Sequence, residues 1–382
     1  MVEATIIASI VDTSVHLINA ECVAAILAYV MKAVMKVRQA PGIEVREVDV
    51  PAVGDSDILV KVAAAGICGS DVHYYQWTRG SEIVRVPVIL GHEFSGEVVE
   101  VGSGVTGVAV GDRICAPPGM ACGACPECRT GRGDRCGAML GPGIRSDGFF
   151  AEYGRLTAAA QVFKLPPEVS LAAAALMEPL GVCLNAVDVS GLRVGQTAAV
   201  LGPGPIGLLT TALLRAGGAG LVVVAGTAAD GMRLRLAERL GADEVTVVGD
   251  ADGADDGAAL AARAAALDDG GFDLVFEATG NPAAIQQSID LVKRGGQVVL
   301  MGIYGAPAAI DPTPMVRARK NIVSAYGYGA GGTATWKRAL RLLAAGRLDV
   351  EPVITHRLPL SRAEDGFRLA LDKQAAKVLL IP

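Results

Sequence analysis

A chain of 382 residues is longer than one ordinary core supports and fits two domains that share a cleft. Hydrophobic residues make up 51% and charged residues 19%, which excludes disorder; 48 Gly and 4% aromatics suit an α/β protein with many tight turns. The formal charge of −6 repels phosphate backbones, so nucleic acid is not an expected partner.

Met1 to Val30 holds no Lys or Arg and therefore lacks the basic start of a secretory signal. Asp12, His16, Asn19 and Glu21 interrupt its apolar run, which argues against a membrane span. Met31-Lys-Ala-Val-Met-Lys36 then reads as the beginning of a first strand. Residues 1–30 are expected to be an extension that the rest of the chain does not need. From Met31 to about Leu165, short β-rich runs are broken by Gly and Pro, as in Ile58–Val62, Gly96–Val101 and Gly111–Cys115. Alternation with a period of two, with turn residues between the runs, predicts a barrel-like or sandwich-like β domain.

Two groups of potential metal ligands fall in or near this part. Cys122-Gly-Ala-Cys125-Pro-Glu-Cys128, followed by Cys136, puts four of the eight Cys on one short lobe. Four thiolates at that spacing can enclose a tetrahedral zinc and close its coordination shell, the structural type of site. An iron–sulfur cluster is the other reading, although its usual spacings differ. Crowded Cys of this kind point to metal in a reducing, cytoplasmic setting, not to a secreted disulfide scaffold. The second group is dispersed: Cys68 in Gly66-Ile-Cys-Gly-Ser-Asp-Val-His73, His92 and Glu93 in Gly91-His-Glu-Phe, and Glu178 in Met177-Glu-Pro-Leu180. Taken singly these are core filler, a satisfied polar group and a helix-end charge. Taken together, one Cys, one His and a carboxylate would serve as the three ligands of a catalytic zinc that keeps one position open, and at this point both readings stand.

Beyond about Gly195 the rhythm changes. Apolar runs at Thr197–Leu201, Leu221–Ala225, Glu244–Val248, Phe272–Ala278, Gln297–Met301 and Ile322–Tyr326 read as strands. Helix-length stretches such as Ile206–Ala216, Met232–Leu240 and Pro282–Lys293 separate most of them. Continuous apolar strands alternating with helices predict a doubly wound parallel sheet. Gly202-Pro-Gly204-Pro-Ile206-Gly207 follows the first of these strands and opens a helix. In that context the three glycines permit a tight turn, admit a pyrophosphate and let helix and strand pack closely. The second strand ends at Gly226-Thr227 without the acidic residue usual for NAD, while Arg233 or Arg235 could meet a 2′-phosphate, so NAD and NADP both remain open. The segment Asp250–Gly271 reads as a solvated loop and a surface helix, and the tail, Thr335–Ala345 and Val353–Pro382, as a helix plus returning strands.

With these motifs in hand, the chain from Met31 to its C-terminus resembles the medium-chain, zinc-containing alcohol dehydrogenases, in particular their sorbitol (polyol) and threonine dehydrogenase branches. The resemblance rests on Gly66–Tyr75, Gly91-His-Glu93, the four-Cys lobe, Glu178-Pro-Leu, Gly202–Gly207 and Ile354-Thr-His-Arg-Leu358. It implies a GroES-like catalytic domain, residues 31–185 and 327–382, with an inserted Rossmann domain, residues 186–326, and the active site between them. By carry-over, Cys68, His92 and Glu93 or Glu178 hold the catalytic zinc. Ser70 matches the hydroxyl that hands the substrate proton onward, and His73 matches the relay His of the threonine branch. The implied cofactor residues are Gly202, Gly204, Ile206, Gly207, Thr227 and Arg233, together with Met301, Gly302, Ile303, Ala325 and Tyr326.

The implied reaction is hydride transfer from a small secondary alcohol to NAD or NADP, with zinc as Lewis acid. Glu178-Pro-Leu, where threonine dehydrogenases tend to carry Asp-Pro-Phe, ranks a polyol or diol above L-threonine as substrate; Trp77 and Tyr326-Gly-Tyr-Gly look threonine-like. A dinucleotide-binding protein without catalysis is the reading from another class, and the full ligand set argues against it. The family implies a homodimer or homotetramer, with no membrane partner.

Overall fold

The computed structural model describes residues 30–119, 124–132, 136–137, 141–157, 161–249, 257–328 and 332–382. The expected extension lies outside the described residues except for Val30, which already belongs to the first strand. Among the described residues no helix is long and apolar enough to cross a membrane.

The first part contributes β1 (Val30–Lys36), β2 (Glu44–Asp49), β3 (Asp57–Gly66), β4 (Val88–Ile89), β5 (Glu93–Val101), β6 (Arg113–Cys115), β7 (Tyr153–Thr157) and β8 (Phe163–Lys164). β1 lies between β2 and β4 in a small antiparallel sheet. β3 is the centre of a larger one, with β5 and β7 as antiparallel partners. Its run Asp57-Ile-Leu-Val-Lys-Val-Ala-Ala-Ala-Gly66 is buried at most positions, as a strand covered on both faces must be.

The second part is a six-stranded parallel sheet. Its strands are β9 (Thr197–Leu201), β10 (Leu221–Gly226), β11 (Glu244–Val247), β12 (Phe272–Glu277), β13 (Val292–Leu300) and β14 (Asn321–Ser324). They lie in the order β11-β10-β9-β12-β13-β14, the doubly wound arrangement that the alternation of strands and helices predicts. Successive residues serve opposite faces. Ala198, Val200, Val222 and Val224 enter one core, whereas Ala199, Leu201, Val223 and Ala225 enter the other. That double burial is why these strands read as unbroken apolar runs. The helix expected to reach Lys293 stops at Leu291, because Val292 instead pairs with Phe272 and is buried beside it.

The tail returns to the first part. β15 (Ile354–Pro359) and β16 (Lys377–Ile381) are parallel, and β16 pairs antiparallel with β3. Two parallel strands need a crossover, and the helix Ala363–Leu371 supplies one that the sequence reading missed. Gly366 within it argues against a helix, yet a Cβ there would sit 3.0 Å from Ile67 Cδ1, so a small residue lets the helix approach the end of β3.

Candidate active site and dinucleotide cleft

The pairing of β3 with β5 assembles the first site. Its register sets Gly66 opposite Glu93, so the turn that leaves β3 meets the start of β5. A Cβ at residue 66 would lie 2.2 Å from Glu93 Oε2; glycine there makes room for the carboxylate. Cys68 follows at the N-cap of α1 (Gly69–Gln76), and Asp71 Oδ2 accepts its backbone N–H at 3.0 Å. The ligand atoms of Cys68, His92 and Glu93 all lie within 4.8 Å of one another. A thiol, an imidazole and a carboxylate converging at that distance are the donor set of a catalytic zinc.

Buried polar atoms around the triad orient it. His92 Nδ1 faces Asp71 Oδ1 at 3.6 Å, and both atoms are buried without a hydrogen bond. With Nδ1 turned to the carboxylate, Nε2 is the nitrogen left for a metal, as in a zinc-binding histidine whose other ring nitrogen faces a carboxylate. Burial pulls the His92 pKa down, but the charges of Asp71 and Cys68 together outweigh it and hold it well above the ordinary value. Glu93 is 0% exposed and Lys377, at 2%, donates to both its oxygens at 2.8 and 2.7 Å and to Ile67 O at 2.9 Å.

Glu178 falls outside that group of three but lies near enough for the charges of His92 and Glu93 to act on it. It lies in the first turn of α2 (Met177–Ser190), where Pro179 is tolerated because the first helical turn needs no N–H donors. Desolvation raises its pKa, and the neighbouring Glu93 charge adds to the rise. The Tyr328 hydroxyl donates to Glu178 Oε1 at 2.7 Å. On α1, Ser70 stands in the first turn after Cys68 and is half-buried. His73 lies one turn further, with Nδ1 2.9 Å from Thr78 Oγ1. The i, i+3 spacing puts Ser70 and His73 on one face of the helix.

α2 joins this site to the second. Cys183 Sγ donates to Ile206 O at 3.3 Å in α3 (Pro205–Ala216), the helix opened by the glycine loop. Gly202 has φ +95° and Gly204 is the N-cap. A Cβ at residue 207 would lie 1.9 Å from Gly202 O. Gly207→Ala is therefore expected to force the loop open, at the ~1–3 kcal/mol usual for overpacking. Dinucleotide affinity, read by fluorescence titration, should fall by ~10-fold or more; an unchanged affinity would place the pyrophosphate elsewhere.

The other cofactor candidates follow the carboxyl ends of the parallel strands, where ligands bind in such sheets. Thr227 follows β10, Met301 to Ile303 follow β13, and Ala325 and Tyr326 follow β14. Ile303 is 64% exposed and Tyr326 87%, an unusual display of large apolar side chains at one edge. Arg233 does not take the place expected of it. It is buried in α4 (Gly231–Arg239), where Nε donates to Ala375 O at 3.0 Å and Nη1 to Asp230 Oδ1 at 3.3 Å, so its guanidinium is already engaged inside the protein. Arg235 on the same helix is exposed. Asp230 is equally engaged: its Oδ2 accepts from Thr227 N at 3.0 Å and from Thr227 Oγ1 at 2.7 Å.

In the Cys lobe, Cys125 Sγ lies 3.4 Å from Cys128 Sγ and 3.8 Å from Cys136 Sγ. Sulfurs bound tetrahedrally at zinc stand roughly 3.8 Å apart, so the spacing fits that ion. Cys122 falls outside the described residues.

Asp71, Lys377 and Tyr328 touch the site and escaped the sequence reading. Asp71 could have been found, three residues after an N-cap, by its capping-box spacing. Lys377 was visible as a charge inside the apolar run Ala375-Ala-Lys-Val-Leu-Leu380. Tyr328 lies in the stretch Tyr326-Gly-Tyr-Gly, but nothing local gives its partner, which is 150 positions away.

Comparison with known proteins finds relatives along most of the chain. The family model for the alcohol dehydrogenase GroES-like domain matches residues 54–167, and that for the zinc-binding dehydrogenases matches residues 205–345. The chain is 37% identical over 354 residues to an L-threonine 3-dehydrogenase of Bacillus licheniformis, covering 92% of this chain and 99% of that one. A zinc-binding dehydrogenase from Sinorhizobium meliloti, solved bound to NADP, is 35% identical with a TM-score of 0.80, over 92% of this chain and 99% of that one. The 2R,3R-butanediol dehydrogenase of Bacillus subtilis is 32% identical with a TM-score of 0.80 over the same shares.

Proposed function

This chain belongs to the zinc-dependent medium-chain alcohol dehydrogenases, and from that premise we propose that it oxidises the secondary hydroxyl of L-threonine with NADP. Its class is a zinc-dependent, NAD(P)-linked oxidoreductase of the alcohol dehydrogenase type. The reaction converts a carbinol to a carbonyl, with hydride passing to the oxidised dinucleotide and one proton to solvent. Zinc supplies a Lewis acid that lowers the pKa of the substrate hydroxyl. Cys68 and His92, with Glu93 or Glu178, hold that ion, and Asp71 orients the His92 ring. Ser70 Oγ would accept the released proton while passing its own hydroxyl proton on, and His73, its Nδ1 held by Thr78, would relay that proton outward to solvent. The loop Gly202–Gly207 and the edge residues Thr227, Met301–Ile303, Ala325 and Tyr326 hold the dinucleotide against the cleft, while Cys125, Cys128 and Cys136, with Cys122, hold a structural zinc.

The observation that carries the substrate reading is the full-length similarity to an L-threonine 3-dehydrogenase. It reverses the order expected from Glu178-Pro-Leu. A diol remains the second reading, favoured by that tripeptide and by the butanediol dehydrogenase likeness. The NADP reading is supported by the inward engagement of Asp230, which removes the carboxylate that would grip a ribose 2′-hydroxyl, and by the Sinorhizobium protein's NADP.

A parallel rate assay of the zinc-loaded protein tests both. L-Threonine, 2,3-butanediol, sorbitol and xylitol are compared, each with NAD and NADP. L-Threonine is expected to give the highest kcat/KM, and NADP to exceed NAD by ~10-fold or more, the difference that one charge-assisted contact from the exposed Arg235 to the 2′-phosphate would make. Turnover of the diol or polyols alone would overturn the substrate, and a preference for NAD would overturn the cofactor.

A further inference from the structure

We propose that Tyr328 is a positioning residue that sets the Glu178 carboxylate for zinc. The inference rests on the reading that Glu178 belongs to the zinc site. The two acidic side chains there are held differently. Lys377 engages both oxygens of Glu93, whereas Tyr328 engages only Oε1 of Glu178 and leaves Oε2 unconstrained by that bond. A neutral phenol donor fixes the carboxylate's direction without cancelling its charge, which is what a metal-facing carboxylate requires.

The ring is itself fixed. Tyr328 packs edge-on against Trp336, with centroids 5.4 Å apart and planes at 86°, and Trp336 stacks on Phe163 at 5.3 Å. Gly181 makes room for both: a Cβ there would lie 2.9 Å from Tyr328 Cδ1 and 3.0 Å from Trp336 Nε1. Gly181 comes three positions after Glu178, so the ring lies over the helix face that carries the carboxylate. Asn185, one turn further on α2, donates to Tyr326 O at 3.4 Å and to Gly327 O at 3.3 Å. The segment that follows β14 is thereby pinned along α2 at two levels, and Tyr328 is its contact with the zinc site.

The test uses the full chain loaded with zinc or with cobalt. In Tyr328→Phe, zinc affinity measured against a competing chelator is expected to fall ~10- to 100-fold, the range for losing a partner of a metal ligand. The visible spectrum of the cobalt form should shift, while the unfolding midpoint and dinucleotide affinity stay close to wild type. Gly181→Ala, which displaces the ring and leaves the hydroxyl intact, should reproduce the zinc loss in part. Unchanged zinc affinity and an unchanged cobalt spectrum in Tyr328→Phe would overturn the proposal. Glu178→Gln, measured in parallel, separates the two levels. If it weakens zinc while Tyr328→Phe does not, only the role of Tyr328 fails; if neither variant weakens zinc, the placement of Glu178 at the metal fails with it.

Discussion

Cys68→Ala and His92→Ala are each expected to lower kcat/KM by ~10³-fold or more while leaving the fold intact. Polarising the substrate oxygen through a metal is worth several kcal/mol of barrier, and each 1.36 kcal/mol is tenfold in rate, so losing about 4 kcal/mol gives roughly that factor. Cys68 and His92 both lie outside the strands and helices, so the fold survives, although truncating His92, at 6% exposure, leaves a small cavity. Cys68 is half-buried at a helix N-cap whose carboxylate partner, Asp71, bonds the backbone N–H of residue 68 and not its thiol. The His92 imidazole is buried, but its Nδ1 makes no direct hydrogen bond. Circular dichroism should therefore stay near wild type while the unfolding midpoint falls modestly, and dinucleotide titration should still show binding, because the glycine loop is built by other strands. Metal analysis should show one zinc per chain lost and the ion of the Cys lobe retained. Wild-type turnover in both variants would refute the assignment of the catalytic zinc to these residues.

Much of the fold was legible because the parallel sheet is buried on both faces. Strands such as Val222-Val-Val-Ala225 have no solvent face, so their apolar runs mark position and extent almost residue by residue. The glycine loop was legible for a related reason: a contact of 1.9 Å between a would-be Cβ and a carbonyl admits one residue type only. Cys68, His92 and Glu93 were legible as chemistry but not as a cluster, since the register of β3 on β5 that joins them is a long-range pairing. The misread places are those where tertiary contact decides. Arg233 looked available for a phosphate from its position after the second strand, and the carbonyl of Ala375, 142 positions away, has claimed it. The helix Ala363–Leu371 was hidden by Gly366, whose purpose is closeness to Ile67. Tyr328 and Lys377 meet the site from distant segments, and no local pattern encodes such a meeting.

Lys377→Met should show the largest stability loss of any single change considered. Glu93 is 0% exposed, and in the metal-free protein its paired charge is the Lys377 ammonium, seated 2.7 and 2.8 Å from the two oxygens. Removing one partner of a buried ion pair strands the other charge and costs about 3–5 kcal/mol. Burial by itself pulls the Lys377 pKa down, yet the carboxylate partner outweighs it and the net shift is upward, so Lys377 stays a charged ammonium at neutral pH. The loss of a donor to Ile67 O acts in the same direction. Urea unfolding of the zinc-free protein at neutral pH measures the effect. The decisive comparison is the double variant Glu93→Gln/Lys377→Met. It removes both charges and should recover most of the lost stability, because replacing a buried pair by neutral groups of similar size is often close to neutral. A coupling energy near zero between the two substitutions would mean that the carboxylate and the ammonium do not stabilise one another across the end of β3. A large one would fix Lys377 as the counter-charge that keeps an acidic side chain buried beside Cys68 and His92 before the metal arrives.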